Sequence, residues 1–201
     1  MRSEQGLLSK LSTVLSLIRA TDFPKIARRY FAMNFFDGLL TMLGFVAGYY
    51  LAGGRNPALI VSAGLAASAA MGVSGFTGAL LTEYAERQRE IEELEKAMLR
   101  DLSSTLLSHA QKTAAIIAAL IDASAPALGA LLVASPVTAS AIGLLDFHLA
   151  VATSIALGFT ALLMLGFFLS RIAGGAPLRY GLAMVVSGAA VLLTALLLGG
   201  T

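Results

Sequence analysis

Five apolar segments, each long enough to form a membrane-crossing helix, dominate this sequence. They cover residues 30–52, 58–82, 113–134, 147–170 and 178–198. A helix of roughly 20 apolar residues crosses the hydrocarbon core of a bilayer, which is ~30 Å thick. Only 13% of the residues are charged, whereas a soluble domain has about a quarter. The sequence therefore predicts an all-α integral membrane protein with five transmembrane helices.

The second apolar segment does not end where its apolar residues end. It runs into residues 83–100, which contain no glycine or proline and are mostly strong helix formers. We therefore predict a second helix that extends into the cytoplasm. The predicted parts of the chain are an N-terminal cytoplasmic amphipathic segment (1–29), transmembrane helices 1 and 2 (30–82), a cytoplasmic Glu-rich helical extension (83–112) and transmembrane helices 3 to 5 (113–201). Pro126 falls inside the third predicted span and Pro136 just after it.

Lysine and arginine residues alternate between the two sides of the predicted membrane protein. Six precede the first span and five lie between the second and third spans, whereas the connection between the first two spans has only Arg55. Positively charged loops stay in the cytoplasm, so the N-terminus is expected in the cytoplasm and the C-terminus on the opposite side. The absence of an organellar targeting segment favours a prokaryotic inner membrane.

Ionisable residues at membrane depth are rare and costly, and they usually have a function. Asp37 lies within the first span on a helical face with small or polar residues, and the second span has a comparable face with one large side chain, Met71. The two faces are Asn34, Asp37, Thr41, Gly44 and Gly48, and Gly64, Ser68, Met71, Gly75 and Gly78. Small residues allow close helix packing, so these faces are expected to meet. A carboxylate with a thioether suits a divalent first-row metal. The alternative is packing alone, with Met71 as filler.

Two further sets of acidic residues are candidates. Asp122, near the middle of the third span, is a possible proton or second ion site, or a carboxylate satisfied by a neighbouring helix. Four glutamates fall on one stripe of the cytoplasmic extension, where they could collect cations: Glu83, Glu86, Glu90 and Glu93. The alternative is a solvated helix with ion pairs, which are Glu83–Arg87, Glu86–Arg89 and Glu92–Lys96.

The first two spans resemble the vacuolar iron transporter family. The residues concerned are Asp37-Gly38-Leu39-Leu40-Thr41 with Val46-Ala47-Gly48, and Ala69-Ala70-Met71-Gly72-Val73-Ser74-Gly75 followed by the Glu-rich helix. The resemblance implies Fe²⁺ and often Mn²⁺ export in exchange for protons, by a homodimer with an ion path between its subunits. It implies that Asp37 and Met71 are metal ligands, and loosely that the four glutamates are too.

The chain also departs from that family. Ala67 stands where many members have an acidic residue, Ala70 stands where they have serine, and the segment between spans two and three is short. Asp122 is a hypothetical substitute for the missing acid.

The predicted function is thus proton-coupled export of Fe²⁺ or Mn²⁺ from the cytoplasm, with Asp37 and Met71 as metal ligands and Asn34 and Thr41 as polar support. Protons are the counter-ion, no tightly bound cofactor is expected, and the partners are the lipid bilayer and a second copy of the chain, not nucleic acid. The alternative is a non-transporting membrane scaffold or assembly subunit. A transporter of organic solutes ranks lower, because the first two spans offer few aromatic or hydrogen-bonding groups. An enzyme is not expected, since no nucleophile–base pair or metal-ligand triad is visible.

Overall fold

The computed structural model describes residues 23–102 and 105–199. Within these ranges the chain forms five α-helices and no β-strand: α1 (Phe23–Leu51), α2 (Pro57–Met98), α3 (Leu106–Ala141), α4 (Phe147–Ala173) and α5 (Pro177–Gly199). All five are long and apolar enough to cross a membrane. This suggests an integral membrane protein and confirms the predicted all-helical class with five helices of membrane-spanning length. Of the predicted amphipathic segment (1–29), only 23–29 lie in the described residues, and they form the start of α1.

Helix α2 is 42 residues long and confirms that the second helix continues beyond its apolar part. Its start is fixed by Asn56, whose side-chain oxygen accepts a hydrogen bond from the Ala58 backbone N–H at 3.0 Å. Pro57 follows at the first helical position, where its missing N–H costs nothing. The helix ends before Leu99, which has a positive φ of 50°.

Helix α3 contains both Pro126 and Pro136, so it continues past the predicted end of the third span. Proline removes one backbone donor and thereby leaves the carbonyl four residues earlier without its helical partner. For Pro136 that carbonyl belongs to Leu132, and it accepts a hydrogen bond from the Ser135 hydroxyl at 2.7 Å. Hydroxyl side chains of this kind make proline tolerable inside membrane helices, which explains why the helix does not stop.

The chain divides into two compact units. The first unit comprises residues up to Phe31 together with Val73–Ala123, and the second unit comprises Ala32–Gly72 together with Ser124–Thr201. The second unit has the larger apolar core, to which α1, α3 and α4 contribute fully buried side chains: Leu39, Met42, Leu43, Val46, Val133, Val137 and Leu162.

Helices α1 and α3 cross in the second unit with almost no space between their backbones. A Cβ atom added at Gly38 would overlap the backbone carbonyl of Pro126, and one added at Gly129 would overlap that of Phe35. Small residues at helix crossings permit this approach, which dispersion forces then stabilise. The crossing fixes the position of Gly38 and therefore of the residue before it, Asp37.

Helices α4 and α5 form an antiparallel hairpin in the second unit. The Asp146 carboxylate caps α4 by accepting hydrogen bonds from the His148 and Leu149 N–H groups at 2.9 and 3.2 Å. Gly174 ends α4 in the left-handed conformation, at a φ of 69°, which glycine adopts without strain.

Candidate functional site

Asp37 is the central residue of α1, with fourteen residues of the helix on either side of it. Its side chain is exposed in the single chain, whereas the adjacent Gly38 is buried. Among the described residues, no hydrogen bond or ion pair involves the Asp37 carboxylate. A charged side chain at this depth has a high free energy in lipid, so its exposure on one chain is the most informative feature of the site.

One helical turn further along α1, Thr41 contacts α2. Its hydroxyl donates to the thioether sulfur of Met71 at 3.7 Å, and both side chains are half-buried. Successive turns of a helix are ~5.4 Å apart, so the α1 residue that contacts the Met71 sulfur lies one turn from Asp37. By type, the two side chains are one hard oxygen ligand and one soft sulfur ligand for a cation.

The glycines of the two predicted faces have different neighbours. Gly64 of α2 packs against the Met42 side chain of α1, as expected for facing helices. Gly44 instead approaches Val191 of α5, and Gly48 has no atom within 4 Å of its added Cβ among the described residues. Together with α5, the two α1 glycines line a groove of about 290 Å³. Only part of the predicted α1 face therefore packs against α2.

Comparison with known proteins does not indicate an activity for this chain. No family model matches this chain. An uncharacterized protein of Methanocaldococcus jannaschii is 29% identical over 166 residues, which cover 81% of this chain and 83% of that protein. That name states no function, so the chemistry of the site rests on the geometry of this chain.

Glu83 of the predicted acidic stripe is buried in the first unit, with 4% of its surface exposed. One carboxylate oxygen accepts a hydrogen bond from the Tyr30 hydroxyl at 3.1 Å. The other oxygen lies 3.3 Å from a terminal nitrogen of Arg87. Because both oxygens are engaged, Glu83 differs from the remaining glutamates of the stripe.

Arg87 extends this network to α3. It is also buried, and it donates to the side-chain oxygen of Gln111. The Gln111 amide nitrogen in turn donates to Glu90 at 3.2 Å. Within the described part of the chain, the Nε of Arg87 has no hydrogen-bond partner, so the charge of this guanidinium is balanced mainly by Glu83.

The other glutamates of the stripe are exposed to solvent. Glu93 pairs with Arg89 at 3.0 Å, whereas the sequence suggested Glu86 as the partner of Arg89. An exposed pair of this kind contributes only about 0–1 kcal/mol. Nowhere in 23–102 and 105–199 do three or more His, Cys, Asp or Glu side chains converge as a metal-binding group.

Asp122 lies on α3 in the first unit and is 5% exposed. One carboxylate oxygen lies against Gly75 of α2, where an added Cβ would overlap it. Gly75, which the sequence placed on a packing stripe, therefore makes room for a buried carboxylate. Asn34 is half-buried and has a partner in the structure.

Sequence reasoning missed several residues of these clusters. Tyr30 marked only the start of the first span, although its hydroxyl joins α1 to Glu83. A polar cluster at the α1–α2 connection was also missed. There the Tyr50 hydroxyl lies 2.9 Å from a ring nitrogen of His148, and the Arg55 guanidinium lies 5.1 Å from the centre of the Tyr50 ring. Tyrosines at the ends of apolar segments, where membrane interfaces concentrate them, were the available signal.

Proposed function

We propose that this protein is a proton-coupled transporter that exports Fe²⁺ or Mn²⁺ from the cytoplasm. The observation that carries the proposal is the Asp37 carboxylate, exposed at the centre of an apolar helix and without a partner among the described residues. A carboxylate binds either a divalent cation or a proton, and that alternative is the basis of an exchange reaction. Its high free energy in lipid supports a functional role, because a structural role would not need a charge there.

Met71 supports a transition-metal substrate in particular. Thioether sulfur is a soft ligand that does little for Mg²⁺ or Ca²⁺, whereas carboxylate oxygen suits Mn²⁺ and other hard cations. The hydrogen bond from Thr41 orients the sulfur at 3.7 Å, one turn from Asp37. The metal ion is the transported substrate in this proposal, and no tightly bound cofactor is required.

A homodimer is the second part of the proposal. An exposed carboxylate at the centre of a membrane helix requires a covering surface or a water-filled path, since lipid satisfies neither its charge nor its hydrogen bonds. The second unit also has exposed small residues on α2, namely Ser62, Ala66, Ala69 and Ala70. Small residues favour close contact between membrane helices. An ion path between two copies, lined by α1 and α2, would enclose the Asp37 carboxylate and would cover the exposed small residues of α2.

The proposed metal-collecting surface is restricted to Glu86, Glu90 and Glu93. Glu83 is excluded because Tyr30 and Arg87 occupy its oxygens. The proposed orientation, with the N-terminus and the Glu-rich end of α2 in the cytoplasm of a prokaryotic cell, rests on the distribution of lysine and arginine.

The decisive experiment is Fe²⁺ and Mn²⁺ flux into proteoliposomes under an imposed proton gradient. Asp37→Asn removes the charge with little change in volume, and Asp101→Asn is the matched control in the α2–α3 connection. We expect gradient-dependent flux with the wild type and the control but not with Asp37→Asn. Absence of flux with folded wild-type protein would refute transport and favour the scaffold alternative.

A further inference from the structure

A cavity of about 220 Å³ lies between α2 and α3 in the first unit. The residues that line it include Arg87, Ile91, Glu92 and Glu95 on α2 and Ser108 and Lys112 on α3. The residues of the proposed metal site and of the proposed metal-collecting surface do not line it. An apolar cavity of about 150 Å³ holds a molecule as large as benzene, so this cavity is large enough for a small organic ligand.

The floor of the cavity is buried and contains a hydroxyl without a partner. Arg87, Ile91 and Ser108 are 5%, 7% and 5% exposed. Arg87 pairs with Glu83, whereas the hydroxyl of Ser108 has no hydrogen-bond partner among the described residues. Buried polar side chains nearly always have a partner, so the free hydroxyl indicates that the cavity accepts a polar ligand.

Lys112 supplies the free positive charge of the cavity. It lies four residues after Ser108, and therefore on the same face of α3, and it makes no ion pair within the described part of the chain. Arg87 lies at the same level of the two helices, because it donates to Gln111, the residue before Lys112. Since Glu83 already balances the charge of Arg87, the groups available to the carboxylate of a ligand are Lys112 and the Ser108 hydroxyl.

Two carboxylates line the other end of the cavity, towards the connection between α2 and α3. Glu92 and Glu95 lie further along α2 than Arg87 by roughly 7.5 and 12 Å, at ~1.5 Å per residue. One Glu95 oxygen accepts a hydrogen bond from the Leu102 N–H at 2.8 Å. Glu92 is exposed and accepts a long hydrogen bond from Gln88 at 3.4 Å. A carboxylate has about four acceptor sites, so both retain capacity for an amine.

We propose that this cavity binds a small zwitterion of the amino-acid class. The carboxylate of the ligand lies against Lys112 and Ser108, and its amine lies against Glu92 and Glu95. Ile91, between the two ends, offers an apolar surface to the carbon chain that joins the charges. A ligand with a single charge would leave one end of the cavity without a partner. The inference does not depend on the proposed metal export.

Calorimetric titration of the full-length protein in detergent, in metal-free buffer of low ionic strength, tests the proposal. The probes are glycine, γ-aminobutyrate and ε-aminocaproate, which hold the same two charges at increasing distances. Caproate and hexylamine are the matched probes that carry only one of the two charges. We expect ε-aminocaproate to bind, and glycine, caproate and hexylamine to bind at least roughly tenfold more weakly, as for the loss of a hydrogen bond to a charged group.

Charge-removing variants locate the ligand. Lys112→Gln and Glu92→Gln each remove one charge from an exposed lining position, and we expect each to weaken ε-aminocaproate binding by roughly fivefold to tenfold. Lys96→Gln and Glu86→Gln make the same changes at exposed positions of α2 outside the cavity and should bind like the wild type. Ser108→Ala should weaken binding several-fold without lowering the melting temperature of the ligand-free protein, because the hydroxyl has no partner in the described chain.

Other outcomes overturn the proposal. If folded wild-type protein binds none of the zwitterions, the cavity contains only water. Equal binding of caproate and ε-aminocaproate would show that the acidic end contributes nothing, and equal binding of glycine would show that the separation of the two ends is irrelevant. Wild-type affinity in both Lys112→Gln and Glu92→Gln would place the ligand elsewhere. Metal flux is measured separately, so none of these results decides the proposed export function.

Discussion

The hydroxyl of Thr41 donates to the sulfur of Met71 at 3.7 Å, and this contact joins α1 to α2 one turn from the centre of α1. A threonine hydroxyl in a membrane helix commonly bonds to its own backbone. Here it donates to the Met71 thioether instead, a weak acceptor, and this contact gives the sulfur a defined orientation against α1.

Replacement of this sulfur should change metal preference more than folding. We expect Met71→Leu to lower Fe²⁺ flux roughly tenfold, comparable with the loss of a supporting group at a metal site. Mn²⁺ flux should change less, because Mn²⁺ prefers oxygen ligands. The measurement is competition between the two metals in proteoliposomes. Met42→Leu, at a fully buried position of α1, is the control, and an unchanged metal preference in Met71→Leu would exclude the sulfur as a ligand.

The crossing of α1 and α3 should be intolerant of any side chain at Gly38. Gly38→Ala would drive its Cβ into the Pro126 carbonyl, and overpacking typically costs about 1–3 kcal/mol or more. Gly48→Ala, with open space around its Cβ in the described structure, should be neutral or stabilising by up to about 1 kcal/mol. Thermal unfolding in detergent distinguishes the two variants, and equal melting temperatures would contradict the crossing.

Replacement of Gly75 should change the position of the Asp122 carboxylate more than the stability of the fold. Gly75→Ala places a methyl group where an Asp122 oxygen lies, and the carboxylate, as the end of a side chain, can move. If Asp122 is the proton or second ion site suggested by the sequence, the folded variant should show proton-driven uptake reduced roughly tenfold, within the range for proton-transfer groups. Gly78→Ala, whose Cβ meets no atom within 4 Å among the described residues, should transport normally. Normal uptake by Gly75→Ala would mean that Asp122 needs no defined position.

The proposed dimer makes a prediction about an exposed alanine. Ala66→Phe adds a large side chain to the small-residue surface of α2 and should shift the protein from dimer to monomer. Ala156→Phe makes the same change at an exposed position of α4 and should not. Native mass spectrometry in detergent reports both states. A dimer that survives Ala66→Phe would move the interface away from this part of α2.

The α4 cap should give a pH-dependent contribution to stability. The N–H of Leu149 foremost, and that of His148, hold the pKa of Asp146 below its usual value of about 3.9. A depressed pKa means that the charged carboxylate stabilises the fold fully above about pH 4, and that this contribution is lost as the pH falls through the lowered value. We expect Asp146→Asn to melt below the wild type at neutral pH and the difference to close below about pH 4. A difference independent of pH would contradict the charged cap.

The number of helices, their membrane-spanning length and the extension of α2 were predictable, because each is a property of one continuous segment. Apolar length sets the spans, and an uninterrupted run of helix formers carries α2 to Met98. The passage of α3 through Pro136 was not predictable from the same rule. It depends on whether a neighbouring hydroxyl replaces the lost backbone donor, which Ser135 does.

The sequence singles out candidate site residues only where a residue is unusual by itself. Asp37 is a charged residue inside an apolar segment, and Met71 is a large side chain on a helical face of small residues. Position along the predicted span therefore identified Asp37, and helical periodicity identified Met71. The partners were not predictable, because one helical face has several possible neighbours. Gly44 and Gly75 were placed on packing stripes between α1 and α2, yet Gly44 faces Val191 of α5 and Gly75 faces Asp122 of α3.

The contact between α4 and α5 has a consequence for the order in which the helices can assemble. Gly166 and Gly181 bring the two helix backbones together, and only residues 174–176 connect the helices. The short connection keeps the loop-closure entropy of the pair low, so the two helices can pack together without contributions from the other three. This antiparallel pair can therefore form as a local folding unit, onto which the rest of the second unit assembles.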